Sequence, residues 1–197
     1  SKNEVCRQSP FDITDPGGLL SLHQATGVLC NTPAIETRLN ATGFINNQYD
    51  FDGILRRTPL LIQHRQRIFP QLSLALFMES QGIYTARVEK TLSGPCIVAG
   101  SHKIPVTGDG FAAIRFTRPG FSFQYLSAVD VLNRQFKQSD IQDRIILMGS
   151  SAVGLNDIHH TIFDPHFPGV EISAVIVDNL LNQEMIILPA WTGTLSV

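Results

Sequence analysis

FPGVEISAVIVDNLLN, residues 167–182, is the stretch that decides the fold class. Ile172, Val175, Ile176, Asn179 and Leu180 recur at helical spacing on one side, so Glu171 to Asn182 reads as an amphipathic helix entered through Pro168-Gly169. Upstream, RIILMG (144–149) is a continuous apolar run. Such a run predicts a central strand, Arg144 to Met148, buried on both faces. A glycine- and serine-rich loop, Gly149 to Asp157, follows it. Strand, loop and helix in that order are the building unit of an α/β fold.

The pattern extends in both directions. Pro70 to Gln81 predicts a helix with Leu72, Ala75, Leu76 and Glu79 on one face, ended by Gly82. Val129 to Phe136 predicts another. Strands are expected at Gly43 to Asn46, Cys96 to Ala99, Ile104 to Thr107 and Phe111 to Phe116, with Gly108-Asp109-Gly110 as a hairpin turn between the last two. Ile54 to Gln63 reads as a buried strand in which Pro59 marks an edge or a bulge. Nearer the N-terminus, Asp15-Pro16-Gly17-Gly18 reads as a turn into a helix over Leu19 to Ala25, and Thr32 caps a helix running from Pro33 to Leu39. The expected architecture is α/β: a mixed, mostly buried central sheet, helices packed on it, and one hairpin insertion. No repeat or linker divides residues 1–197. Within that single domain, 1–42 is weakly patterned, 43–184 is the core and 185–197 is a tail carrying Trp191.

Composition narrows the function. A net charge of −2 over 197 residues argues against a nucleic-acid partner, which needs a basic surplus to displace counterions. A hydrophobic share of 43% excludes a disordered chain. No run approaches the ~18 apolar residues of a membrane span, and SKNEVCRQSP at the start has no apolar signal core. Cys6, Cys30 and Cys96 form no CxxC pair. They allow one disulfide plus a free thiol, or three buried thiols acting as small apolar side chains, the more frequent arrangement.

Four polar constellations could carry chemistry. Asp50-x-Asp52-Gly53-x-x-Arg56-Arg57 combines two acids able to hold a cation with two arginines able to clamp an anion; the simpler reading is a turn whose acids pair with those arginines. The loop after RIILM, with Ser150, Ser151, Asn156 and Asp157, lies where α/β sheets bind ligands, yet it matches no phosphate loop and no nucleophile elbow. Asp157, His159, His160, Asp164 and His166 are possible ligands for zinc or another divalent metal, weighed against solvated loop histidines. The basic run Arg56, Arg57, His64, Arg65 and Arg67 is an anion patch or a solvated strand end. The expected pocket lies between the 149–157 loop and the start of the helix near Glu171, where free N–H groups suit a polar ligand.

Taken in order, GFINNQYDFDGILRRTPL (43–60), LSLALFM (72–78), VDVL (129–132), RIILMGSSAVGLND (144–157) and FPGVEISAVIVDNLL (167–181) resemble the second class of CHASE domain, with residues 1–42 a truncated or divergent part. The resemblance implies a bacterial sensor module outside the cytoplasm, in the periplasm or at the cell surface. It also implies membrane helices flanking the domain and an output domain elsewhere: histidine kinase, nucleotide cyclase or serine/threonine kinase. No cofactor is expected. The signal would be an unknown small molecule or a physical cue, and a homodimer is compatible with this. Competing classes are a metal-dependent or hydrolase-like enzyme using Asp157, His159 and His160, and a docking or dimerisation domain without a ligand.

Overall fold

The computed structural model describes residues 9–116, 123–150 and 157–188. Its strands are β1 (Asp12–Thr14), β2 (Arg57–Pro59), β3 (Leu61–His64), β4 (Arg67–Pro70), β5 (Thr85–Thr91), β6 (Gly94–Ala99), β7 (His102–Pro105), β8 (Phe111–Ala113), β9 (Ile158–His159) and β10 (Phe167–Pro168). Its helices are α1 (Pro33–Glu36), α2 (Leu72–Ser80), α3 (Ala128–Leu132) and α4 (Gly169–Asn182). The main sheet has the order β1-β5-β6-β7, with β1 parallel to β5 and the other neighbours antiparallel. Three two-stranded pairs, β2 with β8, β3 with β4 and β9 with β10, complete a mixed α/β architecture. Along β5, Ala86 and Val88 are buried while Thr85 and Arg87 are exposed, the alternation of a strand covered on one face.

Helices α2 and α4 pack against each other. Leu74, Phe77 and Met78 of α2 and Ile172, Ile176 and Leu180 of α4 are fully buried with Leu55, Leu60, Leu61 and Ile97. The α4 face is the one its spacing predicts. The α2 face is different: Ser73, Leu74, Ala75, Phe77 and Met78 point inward, while Leu72 is exposed. LSLALFM is apolar nearly all round, so periodicity could not choose its inner face. Gln71 starts this helix by accepting the Ser73 N–H at 2.6 Å, and Gly82, at φ +64°, ends it.

The largest departure is Arg144 to Met148. These residues belong to no strand, and Ile146 and Met148 are 63% and 93% exposed. A buried strand needs a free sheet edge as a partner, a non-local condition that an apolar run cannot state by itself. Here residues 144–148 pair with no strand of the four-stranded sheet. Other expectations shift for local reasons. Residues 19–25 form no helix: the Asp15 carboxylate accepts the Leu19 and Leu20 N–H groups, both at 2.9 Å, and the Ala25 N–H is taken by the Gln63 carbonyl. Gly43 to Asn46 is reduced to a single bridge, Phe44 with Gln71. The expected strand 54–63 splits at Leu60: Pro59, which has no N–H, ends β2, and the chain changes partner from β8 to β4. The Gly108-Asp109-Gly110 turn is closed by Thr107 N–H to Phe111 O at 2.7 Å, but the strands it joins pair elsewhere, β7 with β6 and β8 with β2. Strand β5 and the β3–β4 hairpin, which turns through Arg65 and Gln66 at positive φ, carry no pattern that the sequence reading used.

The C-terminal end of α4 is tied to the residues after β8. Asn179 is 0% exposed; its Oδ1 accepts the Arg115 N–H at 2.7 Å and its Nδ2 donates to the Arg115 carbonyl at 3.1 Å. Outside, Arg115 pairs with Glu184 at 2.7 Å, and Ile186 N–H donates to Ala113 O at 3.2 Å. Asn179→Leu keeps the side-chain size but strands both Arg115 backbone groups. It should lower the unfolding free energy by about 1–3 kcal/mol in urea denaturation.

Candidate functional site

The turn at 50–53 is built from its own polar groups. Gly53 N–H donates to Asp50 O at 2.9 Å, Asp52 Oδ1 accepts the Ile54 N–H at 3.1 Å, and Gly53 takes φ +77°. The acids then gather the two arginines. Arg56 Nη1 lies 3.0 Å from Asp50 Oδ2 and 3.0 Å from Asp52 Oδ1, and Arg56 Nη2 lies 2.7 Å from Asp52 Oδ2. Arg57 Nε donates to Asp50 Oδ1 at 3.0 Å. Each Asp50 oxygen therefore takes one arginine, and the Asp50 side chain is only 16% exposed. Arg57 also lies over the Phe111 ring at 5.3 Å. Both guanidinium groups are thus paired by the acids of the turn, with 42% and 40% of their side chains still exposed. The Arg56 hydrogen bonds, followed by the Ile54 N–H, hold the Asp52 carboxyl below its ordinary range.

A second polar stretch meets this turn. Leu55 N–H donates to His160 O at 2.8 Å and Leu55 bridges Thr161, which places β9 alongside the turn. Tyr49 reaches 110 positions along the chain to set its hydroxyl 2.5 Å from His159 Nδ1, with the rings stacked at 5.9 Å. The other nitrogen of that ring, Nε2, lies 3.3 Å from Asp157 Oδ1. Burial, and then the Asp157 charge, hold the Tyr49 hydroxyl above its ordinary pKa.

Asp157 also serves the start of α4. Pro168 offers no side-chain cap, and the Gly169 N–H is taken by the Asp157 carbonyl at 2.9 Å. The Asp157 carboxylate rests on Gly169, where any Cβ would collide with it. A carboxylate at a helix N-terminus is favoured by the positive end of the helix dipole. A Cβ on Gly149 would come within 2.5 Å of Val170, so the loop and the helix start are in direct contact. Glu171 in the first turn is hydrogen-bonded to the Tyr125 hydroxyl, whose pKa is pushed up to about 12 by burial and then by that carboxylate. Where the described residues border the crevice expected between Gly149 and the start of α4, the Asp157 carboxylate and Val170 line it.

Of the residues expected to bind a ligand, Arg56, Arg57 and Asp157 are drawn into these contacts, and Ser150 is half-buried at the end of a described segment. Ser151 and Asn156 lie outside the described residues, as does Trp191. The five possible metal ligands do not converge. His160 and His166 are exposed, Asp164 Oδ1 caps the His166 N–H at 2.7 Å, and among the described residues no three His, Cys, Asp or Glu side chains gather as a metal site. Two clefts, one between Pro95, Phe111 and Ile186 and one between Ile104, Leu180 and Met185, each hold about 10 Å³, the space of one water. Neither adjoins the polar cluster.

A family model described as the CHASE2 domain matches residues 4–197. The chain belongs to the CHASE2 family. CHASE2 is an extracytoplasmic sensor domain of signal-transduction receptors, and the match includes most of the weakly patterned residues 1–42. No curated protein and no solved structure matches. Among the described residues of this CHASE2 domain, no helix is long and apolar enough to cross a membrane. Cys30 is disulfide-bonded and Cys96 is a free, buried thiol, which replaces the expectation of three buried thiols. Disulfides persist in oxidising compartments, in keeping with an extracytoplasmic domain.

Sequence reading missed Tyr49 and the pair Arg115 and Glu184. For Tyr49 the available signal was an aromatic residue in the polar stretch NNQYD immediately before an acidic turn. Nothing in the sequence marks Arg115 and Glu184 as partners.

The two aspartates should separate in mutagenesis. Asp50→Ala removes a partner from both arginines and should cost about 1–2 kcal/mol by urea denaturation, with Asp52→Ala costing less. The Asp52 contribution has a defined pH sign. A carboxyl held below its ordinary range contributes stability fully above that range and loses it as pH falls through the lowered value. The difference in melting temperature between the native chain and Asp52→Asn should be constant from pH 8 to 5 and shrink at lower pH.

Proposed function

We propose that this chain is the non-catalytic sensing part of a bacterial membrane receptor whose output, a histidine kinase, a nucleotide cyclase or a serine/threonine kinase, lies in another domain. The family match over residues 4–197 carries the reading. The way α4 is held adds a mechanical route. The turn at 50–53 leads into β2, Arg57 pairs with Ala113 of β8, and residues 113–115 hold the end of α4 and its exit through Asn179, Glu184 and Ile186. A signal that favours one arrangement of the turn over another would bias the direction in which the chain leaves the domain.

Two measurements test this. Alkaline phosphatase fused after residue 188 within the full receptor, keeping everything that precedes this domain there, should be active, since that enzyme works only outside the cytoplasm; an inactive, stably expressed fusion overturns the placement. In the full receptor, Arg115→Gln and Glu184→Gln should each shift basal output while the domain keeps its circular dichroism. Output unchanged in both variants overturns the route.

A further inference from the structure

Resting on the sensor reading, we infer that the signal read at this site is the proton, taken up by the His159 ring between Tyr49 and Asp157. Among the described residues, the two clefts of about 10 Å³ are far below the ~300–1,000 Å³ of small-molecule sites, and neither touches the polar cluster. What the cluster does hold is an imidazole, the side chain whose ordinary titration lies between pH 5 and 8. Its ring is 14% exposed, and both nitrogens are engaged by groups from different parts of the fold.

The hydrogen-bond roles change with one proton. In the neutral ring Nε2–H donates to Asp157 and Nδ1 accepts from the Tyr49 O–H. In the charged ring both nitrogens donate. The Asp157 contact persists and becomes charge-assisted. The Tyr49 contact reverses, because its hydroxyl can now only accept and its own proton must find another acceptor. The proton comes from bulk water and returns to it. The reversed contact ties the segment before β2 to β9, and the retained one sits on Gly169 at the start of α4. Among the described residues, the groups facing the ring are Tyr49 from that segment and Asp157 from its own strand's entry. Opposite it, β10 pairs through the uncharged Phe167, while Glu171 of α4 is engaged by Tyr125. Asp50, next to Tyr49, is neutralised by Arg56 and Arg57.

The test is an NMR titration of the chain from pH 8 to 5, following the His159 ring and the amides of Tyr49, Leu55 and Gly169. All four should move with one midpoint. In His159→Gln the amide changes should vanish. In Tyr49→Phe the ring and Gly169 should still titrate while Leu55 no longer responds; this variant also carries the test if His159→Gln does not fold. A ring that titrates with Leu55 and Gly169 still, a ring that does not titrate, or amide changes that survive in His159→Gln would each overturn the inference. The full receptor separates it from the reading it rests on. Output that is flat from pH 8 to 5 refutes the proton as signal and leaves the sensor standing. An inactive phosphatase fusion refutes the extracytoplasmic sensor, whatever the titration shows.

Discussion

A single buried amide holds this domain's parts in relation to one another. Asn179 sits on the apolar face of α4, completely covered, and satisfies both backbone groups of Arg115. A primary amide carries an acceptor and two donors, so it can take the place of one rung of a strand pair. An apolar residue there would fill the same volume and leave the strand end without partners. The helix that supplies most of the core on its side is thereby fixed in register against β8. Through β8 it is fixed against β2 and the acidic turn. Ile186 extends the same edge by donating to Ala113, so the exit of the chain is registered on β8 as well.

The two ends of α4 are treated differently. The C-terminal end is closed by backbone and amide hydrogen bonds, with Gln183 left-handed at φ 56° and Glu184 N–H returning to Asn179 O at 2.8 Å. The N-terminal end has no side-chain cap and relies on Asp157, a half-exposed residue that also faces His159. Geometric hydrogen bonds inside a core change little with conditions, whereas a carboxylate shared between a helix dipole and an imidazole depends on charge. Backbone and amide hydrogen bonds are therefore concentrated at the C-terminal end of α4. The charged contacts lie where the helix begins, beside the turn that leads into β2.

How much of this was legible in sequence depends on how local each feature is. The helix α4 and its inner face follow from five residues at one spacing. The 50–57 turn follows from acids, a glycine and two arginines within eight positions, because every partner is close in sequence. The α2 helix was legible but its face was not, since an evenly apolar helix is oriented by its neighbours. The strand expected at Arg144 to Met148 failed for a related reason. Apolar composition states that a segment could be buried, and only a free partner edge decides whether it is. Tyr49 and His159 meet across the fold without any periodic signature, and so do Arg115 and Glu184.

The expected ligand crevice shows the limit of arguing from fold type to site. An open helix N-terminus beside a glycine-rich loop is attractive to an anion, and that inference holds as physics. In this chain the anion is supplied internally. The Asp157 carboxylate lies on Gly169 and Gly149 abuts Val170, so an incoming anion would have to displace a tethered carboxylate that pays no entropy of association. The same residue that closes the site to an external anion presents an acceptor to His159.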